Sequence, residues 1–113
     1  MKGIGTDIIE IKRIKEIKYR ERFVQKILSE QEQVIYNKFI NQQRKAEFLA
    51  GRWALKEAIY KAATAICLTK SYKEFSILND ESGAPYLAEP HLDKMHLSLS
   101  HCKKYTVAFV VWE

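Results

Sequence analysis

The stretch EFLAGRWALKEAIYK (Glu47–Lys61) is the strongest helix signal in this chain of 113 residues. Ala, Leu, Lys, Glu and Arg favour helices, and the stretch contains a single glycine, Gly51. Asn41 is a favourable N-cap residue, so the sequence predicts one long helix from about Gln42 to Ile66. Apolar residues recur along it at helical spacing and form the expected core stripe: Phe48, Leu55, Ile59, Ala62 and Ile66.

Shorter elements are predicted before the long helix. Residues Lys2–Ile11 end in β-branched side chains, which is typical of a strand, and the early glycines indicate a bulge or a close backbone approach near Gly5. The basic segment Lys12–Lys26 predicts a short, positively charged helical region. The run SEQE from Ser29 matches a capping box, so a helix begins there and ends near Phe39.

Strand signals dominate the rest of the chain. Residues Phe75–Leu78 and Ala84–Leu87 read as short strands around a turn at Asn79–Gly83. The alternating run His96–Ser100 and the β-branched, aromatic run Tyr105–Trp112 are separated by a tight connection. These two runs are therefore predicted to pair as a hairpin.

This order of elements predicts an α+β fold, in which an antiparallel sheet packs against one long helix and shorter N-terminal helices. We expect a single domain over residues 1–113, without internal repeats. Hydrophobic residues at 47% and charged residues at 29% are ordinary for a globular domain and exclude low-complexity classes. The net charge of +5 favours an acidic partner: nucleic acid, a phosphorylated ligand, an anionic membrane or an acidic protein.

Several classes are disfavoured by what the sequence lacks. Asp7 and Glu10 interrupt any secretory signal, and no run approaches the roughly 18 apolar residues of a membrane span. Cys67 and Cys102 do not form a CxxC pair, so neither a disulfide framework nor a zinc site is indicated. We therefore expect a soluble, cytoplasmic protein with reduced thiols.

Two carboxylates in partly apolar surroundings stand out, namely Asp7 in the first strand and Glu57 in the long helix. If they converge, they supply the hard oxygen ligands that Mg²⁺ prefers, with water and substrate phosphate completing the coordination. The alternative is that Asp7 caps a turn and Glu57 forms a surface pair with Lys61, four residues later. Spacing alone leaves both interpretations open.

Basic side chains near Glu57 suggest a site for a pyrophosphate. Lys61 shares a helix face with Glu57, and Arg52 and Lys56 are predicted to form a neighbouring basic ridge. The alternative is an ordinary solvated helix face. His101 ends a strand, which suits either phosphate binding or a structural role; Ser100 beside it points to the opposite face, which disfavours a serine hydrolase.

The basic segment around Arg13 also permits two interpretations. It is compatible with nucleic-acid binding, with Tyr19 and Phe23 available for stacking. Alternatively it is an amphipathic helix that buries Ile14, Ile17 and Phe23 while its cations stay hydrated. The second interpretation is compatible with docking of an acidic protein helix.

Four motifs, in order, resemble the holo-acyl-carrier-protein synthase family of 4′-phosphopantetheinyl transferases. They are GIGTDIIEIKR (Gly3–Arg13), EFLAGRWALKEA (Glu47–Ala58) followed by Lys61, NDESGAP (Asn79–Pro85) and HLSLSH (His96–His101). The resemblance spans nearly the whole chain. It implies transfer of the 4′-phosphopantetheine arm from coenzyme A to a serine of apo-acyl carrier protein, which releases adenosine 3′,5′-bisphosphate and supports fatty acid biosynthesis.

The resemblance also implies roles for individual residues. Asp7 and Glu57 match metal ligands for Mg²⁺, with Glu57 and Lys61 in catalysis, whereas Lys61, His101 and, as a weaker match, Arg52 meet the phosphates of coenzyme A. Carrier docking is expected at Arg13 from the resemblance, and by extension from charge at three further residues: Lys15, Arg20 and Arg22. The family is a homotrimer with active sites between subunits, and it implies neither a nucleic-acid nor a membrane partner.

The sequence departs from the family pattern in two places. The family follows the catalytic lysine with a Gly-Thr-Gly turn, whereas Lys61 is followed by Ala62–Ile66, which predicts that the helix continues. Cys102 replaces a residue that is commonly polar or acidic, so it is either an exposed thiol or a buried one. The alternatives for function are a catalytically impaired relative that binds coenzyme A or carrier, and a small basic nucleic-acid-binding module.

Overall fold

The computed structural model describes residues Met1 to Glu113. A strand and three helices come first: β1 (Gly3–Glu10), α1 (Ile11–Lys15), α2 (Arg20–Ile27) and α3 (Glu30–Lys38). The long helix α4 (Gln42–Ala62) and the short α5 (Thr64–Cys67) follow. A 3₁₀ turn (Tyr72–Glu74) leads into four strands: β2 (Ser76–Asn79), β3 (Pro85–Glu89), β4 (Met95–His101) and β5 (Tyr105–Trp112).

The strands form two antiparallel sheets. The larger has the order β1-β5-β4, and the smaller contains β2 and β3. β4 and β5 form the predicted hairpin, with Leu99 opposite Ala108. β1 pairs with β5 without a register shift, from Gly3 opposite Trp112 to Glu10 opposite Tyr105, so β1 contains no bulge.

Helix α4 lies directly on the backbone of β1. A Cβ atom added at Gly3 would lie 1.7 Å from the carbonyl oxygen of Ala62, and one added at Gly5 would lie 1.9 Å from that of Ala58. Only glycine allows this approach, because any side chain would overlap the helix backbone. The predicted close approach near Gly5 is therefore confirmed, and it brings the next residue on that face, Asp7, beside α4.

The core fills the space between α4, the shorter helices and the two sheets. Leu49, Leu55 and Ile59 of α4 are fully buried, with side chains from the N-terminal helices and the smaller sheet around them. The predicted core stripe is correct for Leu55, Ile59 and Ala62, whereas Phe48 and Ile66 are only partly buried. The stripe is incomplete because α4 packs against neighbouring elements on several sides and because the helix ends before Ile66.

Several predicted boundaries are wrong. The long helix ends at Ala62 instead of Ile66, because Ala63 leaves the helical region with φ −136° and ψ 48°. The basic segment forms two helices, α1 and α2, instead of one. The strands of the smaller sheet, β2 and β3, begin one residue later than predicted and extend further.

The predicted α+β fold class is confirmed, with the larger antiparallel sheet packed against α4. The capping box before α3 is also present: the Ser29 side chain accepts a hydrogen bond from the backbone of Glu32 at 3.2 Å, and the Glu32 carboxylate accepts one from the Ser29 backbone at 2.9 Å. None of the helices combines the length and apolar character needed to cross a bilayer.

Candidate active site

Asp7 extends from β1 towards the C-terminal half of α4. Its side chain is 18% exposed, and its Oδ1 accepts a hydrogen bond from Nζ of Lys61 at 3.2 Å. The same ammonium donates to the carbonyl oxygen of Thr6 at 2.8 Å. The second carboxylate oxygen of Asp7, Oδ2, is buried and has no hydrogen-bond partner. A buried carboxylate oxygen without a partner is costly, which makes this atom a candidate for ligand binding.

Glu57 projects from the middle of α4 and is half-buried. Its Oε1 accepts a hydrogen bond from the hydroxyl of Tyr72 at 2.9 Å. Burial, followed by this hydrogen bond and by the charges of Glu57, Tyr60 and Asp7, raises the pKa of Tyr72. The phenol therefore keeps its proton and acts as a donor at neutral pH, and both carboxylates lie close enough to influence it.

The structure contradicts the alternative in which Asp7 caps a turn and Glu57 pairs with Lys61. Asp7 lies inside a strand, so it caps no turn, and the partner of Lys61 is Asp7. The only hydrogen bond to the Glu57 carboxylate within the chain comes from Tyr72. The predicted surface pair of Glu57 with Lys61 is therefore wrong, and the structure brings Asp7, Glu57 and Lys61 together at one side of α4.

The donor set around Asp7 and Glu57 fits Mg²⁺. Oδ2 of Asp7 and Oε2 of Glu57 make no hydrogen bond within the protein, so two carboxylate oxygens are without a partner. Mg²⁺ is commonly held by one or two carboxylates, with water and phosphate oxygens as its other ligands. The chain contains no group of three or more His, Cys, Asp or Glu residues that would form an all-protein metal site.

His101 lies in a different part of the chain's surface. It lines an open cleft of about 400 Å³ between α3, α4 and the ends of β2 and β4, together with Arg44, Glu47, Arg52 and Asn79. Asp7, Glu57 and Lys61 do not line this cleft. Arg44 was not singled out by sequence analysis, because only the fold reveals that it shares a cleft with His101.

The predicted basic ridge of Arg52 and Lys56 is wrong, because both side chains are buried. Nε of Arg52 donates to the carbonyl oxygen of Ile77 at 3.0 Å, and its Nη2 donates to the side chain of Asn79. The guanidinium also lies over the ring of Phe48, 4.5 Å from the centroid. Arg52 borders the His101 cleft, but much of its hydrogen-bonding capacity is used inside the protein.

Lys56 has no exposed surface, and its Nζ donates to Glu32 at 2.5 Å, to the carbonyl oxygen of Ile27 at 2.7 Å and to that of Tyr72 at 3.0 Å. Burial lowers the pKa of Lys56 to about 8, against the opposing effect of Glu32. Glu32 also accepts from the backbone of Ile77 at 2.8 Å. This network joins α2, α3, α4, the 3₁₀ turn and β2 through one buried ammonium, that of Lys56, and one buried carboxylate, that of Glu32.

The residues expected to dock the carrier lie on α1 and α2. Arg13 and Arg22 are exposed and lie over aromatic rings, 5.2 Å from Trp53 and 5.4 Å from Tyr19 respectively. Arg20 is half-buried, and its Nε has no partner.

The amphipathic interpretation of α1 and α2 is confirmed. Ile14 is buried, and Ile17 and Phe23 pack against the core. The cations on the other side of these helices remain available to a partner.

Lys15 belongs to a lysine cleft of about 490 Å³ at the junction of α1 with the β4–β5 turn. Four lysines line this cleft: Lys12, Lys15, Lys103 and Lys104. One carboxylate, that of Glu10, accompanies them. The cleft forms only when the β4–β5 hairpin lies beside α1. It cannot be predicted from the sequence, because its two sides are far apart along the chain.

Cys102, in the same turn, is exposed, whereas Cys67 is buried. Backbone hydrogen bonds from Lys104 and Tyr105 lower the pKa of Cys102, and burial raises that of Cys67.

Comparison with known proteins agrees with this fold. The family model of the 4′-phosphopantetheinyl transferase superfamily matches residues 3–110. A holo-[acyl-carrier-protein] synthase from Acholeplasma laidlawii is 46% identical over 98% of this chain and 95% of its own length. Another from Lactococcus lactis subsp. cremoris is 45% identical over 98% of this chain and 96% of its own length.

A solved structure shows the same family likeness. A holo-(acyl-carrier-protein) synthase from Bacillus anthracis, in complex with CoA (3′,5′-ADP), superimposes with a TM-score of 0.85 at 40% identity, covering 96% of this chain and 93% of that one. The chain belongs to the 4′-phosphopantetheinyl transferase superfamily. The family predicted from the four motifs is thus confirmed.

Proposed function

We propose that this chain transfers the 4′-phosphopantetheine group from coenzyme A to a serine of an apo-acyl carrier protein, in support of fatty acid biosynthesis. Relatives of nearly the same length bear the name of that activity, and one of them was solved with coenzyme A. The observation that carries the proposal is the buried, unpartnered Oδ2 of Asp7 beside Lys61 and Glu57.

The reaction exchanges the phosphoanhydride bond of coenzyme A for a phosphoester bond to serine. The carrier serine oxygen forms a bond to the β-phosphorus of coenzyme A, the bond to the departing adenosine 3′,5′-bisphosphate breaks, and the serine proton is released. Asp7 and Glu57 would hold a Mg²⁺ ion, which neutralises the charge of the pyrophosphate oxygens when it is bound. The ammonium of Lys61 lies 3.2 Å from Asp7 and offsets negative charge on the departing phosphate.

The position of His101 leads us to propose an active site that is shared between subunits. It lines a cleft with Arg44 and Arg52, apart from Asp7 and Glu57. Association of subunits would bring the His101 cleft of one chain to the carboxylates of the next, in agreement with the trimer implied by the family resemblance.

The outer face of the larger sheet supports such an association. It exposes apolar side chains that include Ile4 at 53%, Ile8 at 60%, Val107 at 38% and Phe109 at 44%. An apolar face of this kind is typical of a protein interface. We propose that the chain forms a homotrimer through this face, and light scattering measures the oligomeric state directly.

The carrier protein would dock on the basic surface around α1 and α2. Arg13, Arg20 and Arg22 contribute to this surface, and the lysine cleft that contains Lys15 extends it towards the β4–β5 turn. Exposed charge of one sign accelerates association with an acidic partner and orients it.

Intact-mass measurement of an apo-carrier incubated with coenzyme A and Mg²⁺ tests the proposal. The wild-type protein should add one phosphopantetheine group, whereas Asp7→Asn and Glu57→Gln should reduce the rate at least about 100-fold through the loss of charge stabilisation. Glu81→Gln, an exposed carboxylate change in the β2–β3 turn, is the matched control. Unmodified carrier with the wild-type protein would support the impaired relative, and full activity in Asp7→Asn would contradict the assigned site.

The same protein preparation also tests the remaining alternative, a small nucleic-acid-binding module. Tight, salt-dependent binding of an oligonucleotide without any transfer would support the nucleic-acid-binding module. A cytoplasmic location and a single domain over residues 1–113 stay predictions.

A further inference from the structure

Tyr72 is placed where the 3₁₀ turn meets α4. Its hydroxyl donates to Oε1 of Glu57 at 2.9 Å, and its ring packs against Tyr60 with 5.0 Å between centroids. Nothing in the family resemblance assigned a role to this residue.

The backbone of Tyr72 is held as firmly as its side chain. Nζ of the buried Lys56 donates to the carbonyl oxygen of Tyr72 at 3.0 Å. The turn itself is closed by a capping box, in which the Glu74 carboxylate accepts from the backbone of Ser71 at 2.7 Å. The hydroxyl is therefore presented to Glu57 from a fixed turn.

This contact selects one orientation of a flexible side chain. A half-buried glutamate with no partner samples several rotamers, and fixing them costs conformational entropy on ligand binding. The Tyr72 hydroxyl occupies Oε1 and leaves Oε2 without a hydrogen bond inside the protein. Groups that hydrogen-bond to a metal ligand commonly orient it and strengthen metal binding.

We propose that Tyr72 is a positioning residue whose hydroxyl holds Glu57 in the orientation that binds the divalent cation. The proposal rests on the proposed function, because it assumes that Asp7 and Glu57 form the metal site. Tyr72 contacts neither coenzyme nor carrier in this account and acts through Glu57 alone.

The test compares two substitutions that each remove one hydroxyl. Tyr72→Phe deletes the contact with Glu57 and keeps the ring, whereas Tyr60→Phe deletes a hydrogen bond to the carbonyl oxygen of Lys70. The dissociation constant for Mn²⁺ alone is measured by electron paramagnetic resonance, with thermal unfolding alongside. Tyr72→Phe should weaken Mn²⁺ binding about 10-fold or more, and Tyr60→Phe should leave it unchanged.

A double-mutant cycle distinguishes positioning from a general structural role. In a Glu57→Gln background, Tyr72→Phe should produce no further loss of Mn²⁺ affinity, because its only route to the metal has been removed. Unchanged Mn²⁺ affinity in Tyr72→Phe, or equal losses in both backgrounds, overturns the proposal. Failure of the proposed function is recognised separately, because the wild-type protein would then leave the carrier unmodified.

Discussion

Glu32 and Lys56 form a buried ion pair between α3 and α4, and neither side chain has exposed surface. Removing one partner of such a pair leaves a buried charge without full compensation, which is usually more costly than replacing both partners. Loss of either partner alone is therefore expected to destabilise the protein.

Lys56→Met should lower the free energy of unfolding by about 3–5 kcal/mol, because Glu32 then loses its shortest contact. Urea denaturation measures the change. Lys38→Met, at the exposed end of α3, is the control and should change stability by less than about 0.5 kcal/mol. Equal stability of the two variants would show that the buried pair contributes little.

Contacts between residues far apart in the sequence explain which residues the sequence did not indicate. Lys56 and Glu32 are separated by 24 positions, and Tyr72 and Glu57 by 15, so no periodic pattern reveals either pair. From the residues alone, a surface role for Lys56 was a reasonable interpretation, and it was wrong. Asp7 stands out in the sequence as a carboxylate in a partly apolar strand, and the family resemblance implies its role as a metal ligand.

At the scale of elements, the glycines of β1 determine where Asp7 lies. Gly5 lets the strand backbone approach α4, so the position of the carboxylate depends on a residue two places earlier. Any displacement of β1 from α4 moves Asp7 away from Lys61.

Gly5→Ala should destabilise the protein by about 1–3 kcal/mol or more, because the added methyl group overlaps the backbone of Ala58, which has no alternative rotamer. Gly51→Ala is the matched control. There the methyl group would meet only the end of the Leu99 side chain at 2.9 Å, and alanine favours the helix. Thermal unfolding of both variants checks this difference, and an equally stable Gly5→Ala protein would contradict the close approach.

The lysine cleft joins two elements, α1 and the β4–β5 turn, into one basic surface, which we propose as part of the carrier docking site. Lys103→Glu combined with Lys104→Glu should raise the KM for the apo-carrier about 10-fold and leave the KM for coenzyme A unchanged, because steering acts on the acidic protein. Lys38→Glu combined with Lys45→Glu, elsewhere on the helices, controls for total charge. Equal effects of the two pairs would remove the cleft from the docking surface.

Local signals predicted most elements but missed several boundaries, of which the end of α4 is the clearest. The capping box at Ser29, the N-cap at Asn41 and the β4–β5 hairpin depend on neighbouring residues, and all are present. The end of α4 does not depend on neighbouring residues in this way. Residues 62–66 contain no glycine or proline, yet the backbone leaves the helical conformation at Ala63. Tertiary packing around the following segment decides that boundary, and helix propensity does not detect it.

For the whole molecule, one chain contains both halves of the proposed active site but keeps them apart. Asp7 and Glu57 lie on one side of α4, and His101 lines a separate cleft. The exposed apolar face of the sheet is suited to bringing the halves together between subunits.

Mixing two inactive variants tests this sharing. Asp7→Asn and His101→Ala should each be inactive alone, whereas mixed trimers should recover up to about a quarter of the wild-type activity, because one subunit interface in four contains both native residues. The transfer assay measures recovery, and mass spectrometry verifies the mixing. Mixed trimers without activity would place both residues in the site of a single chain.

We expect Asp7 and Glu57 to hold a divalent cation between them. Anomalous diffraction from crystals of this protein grown with Mn²⁺ and coenzyme A tests it most directly. We expect the strongest anomalous peak at bonding distance from Oδ2 of Asp7 and the carboxylate of Glu57. A peak elsewhere on the chain, or none at a Mn²⁺ concentration that supports transfer, would contradict the account.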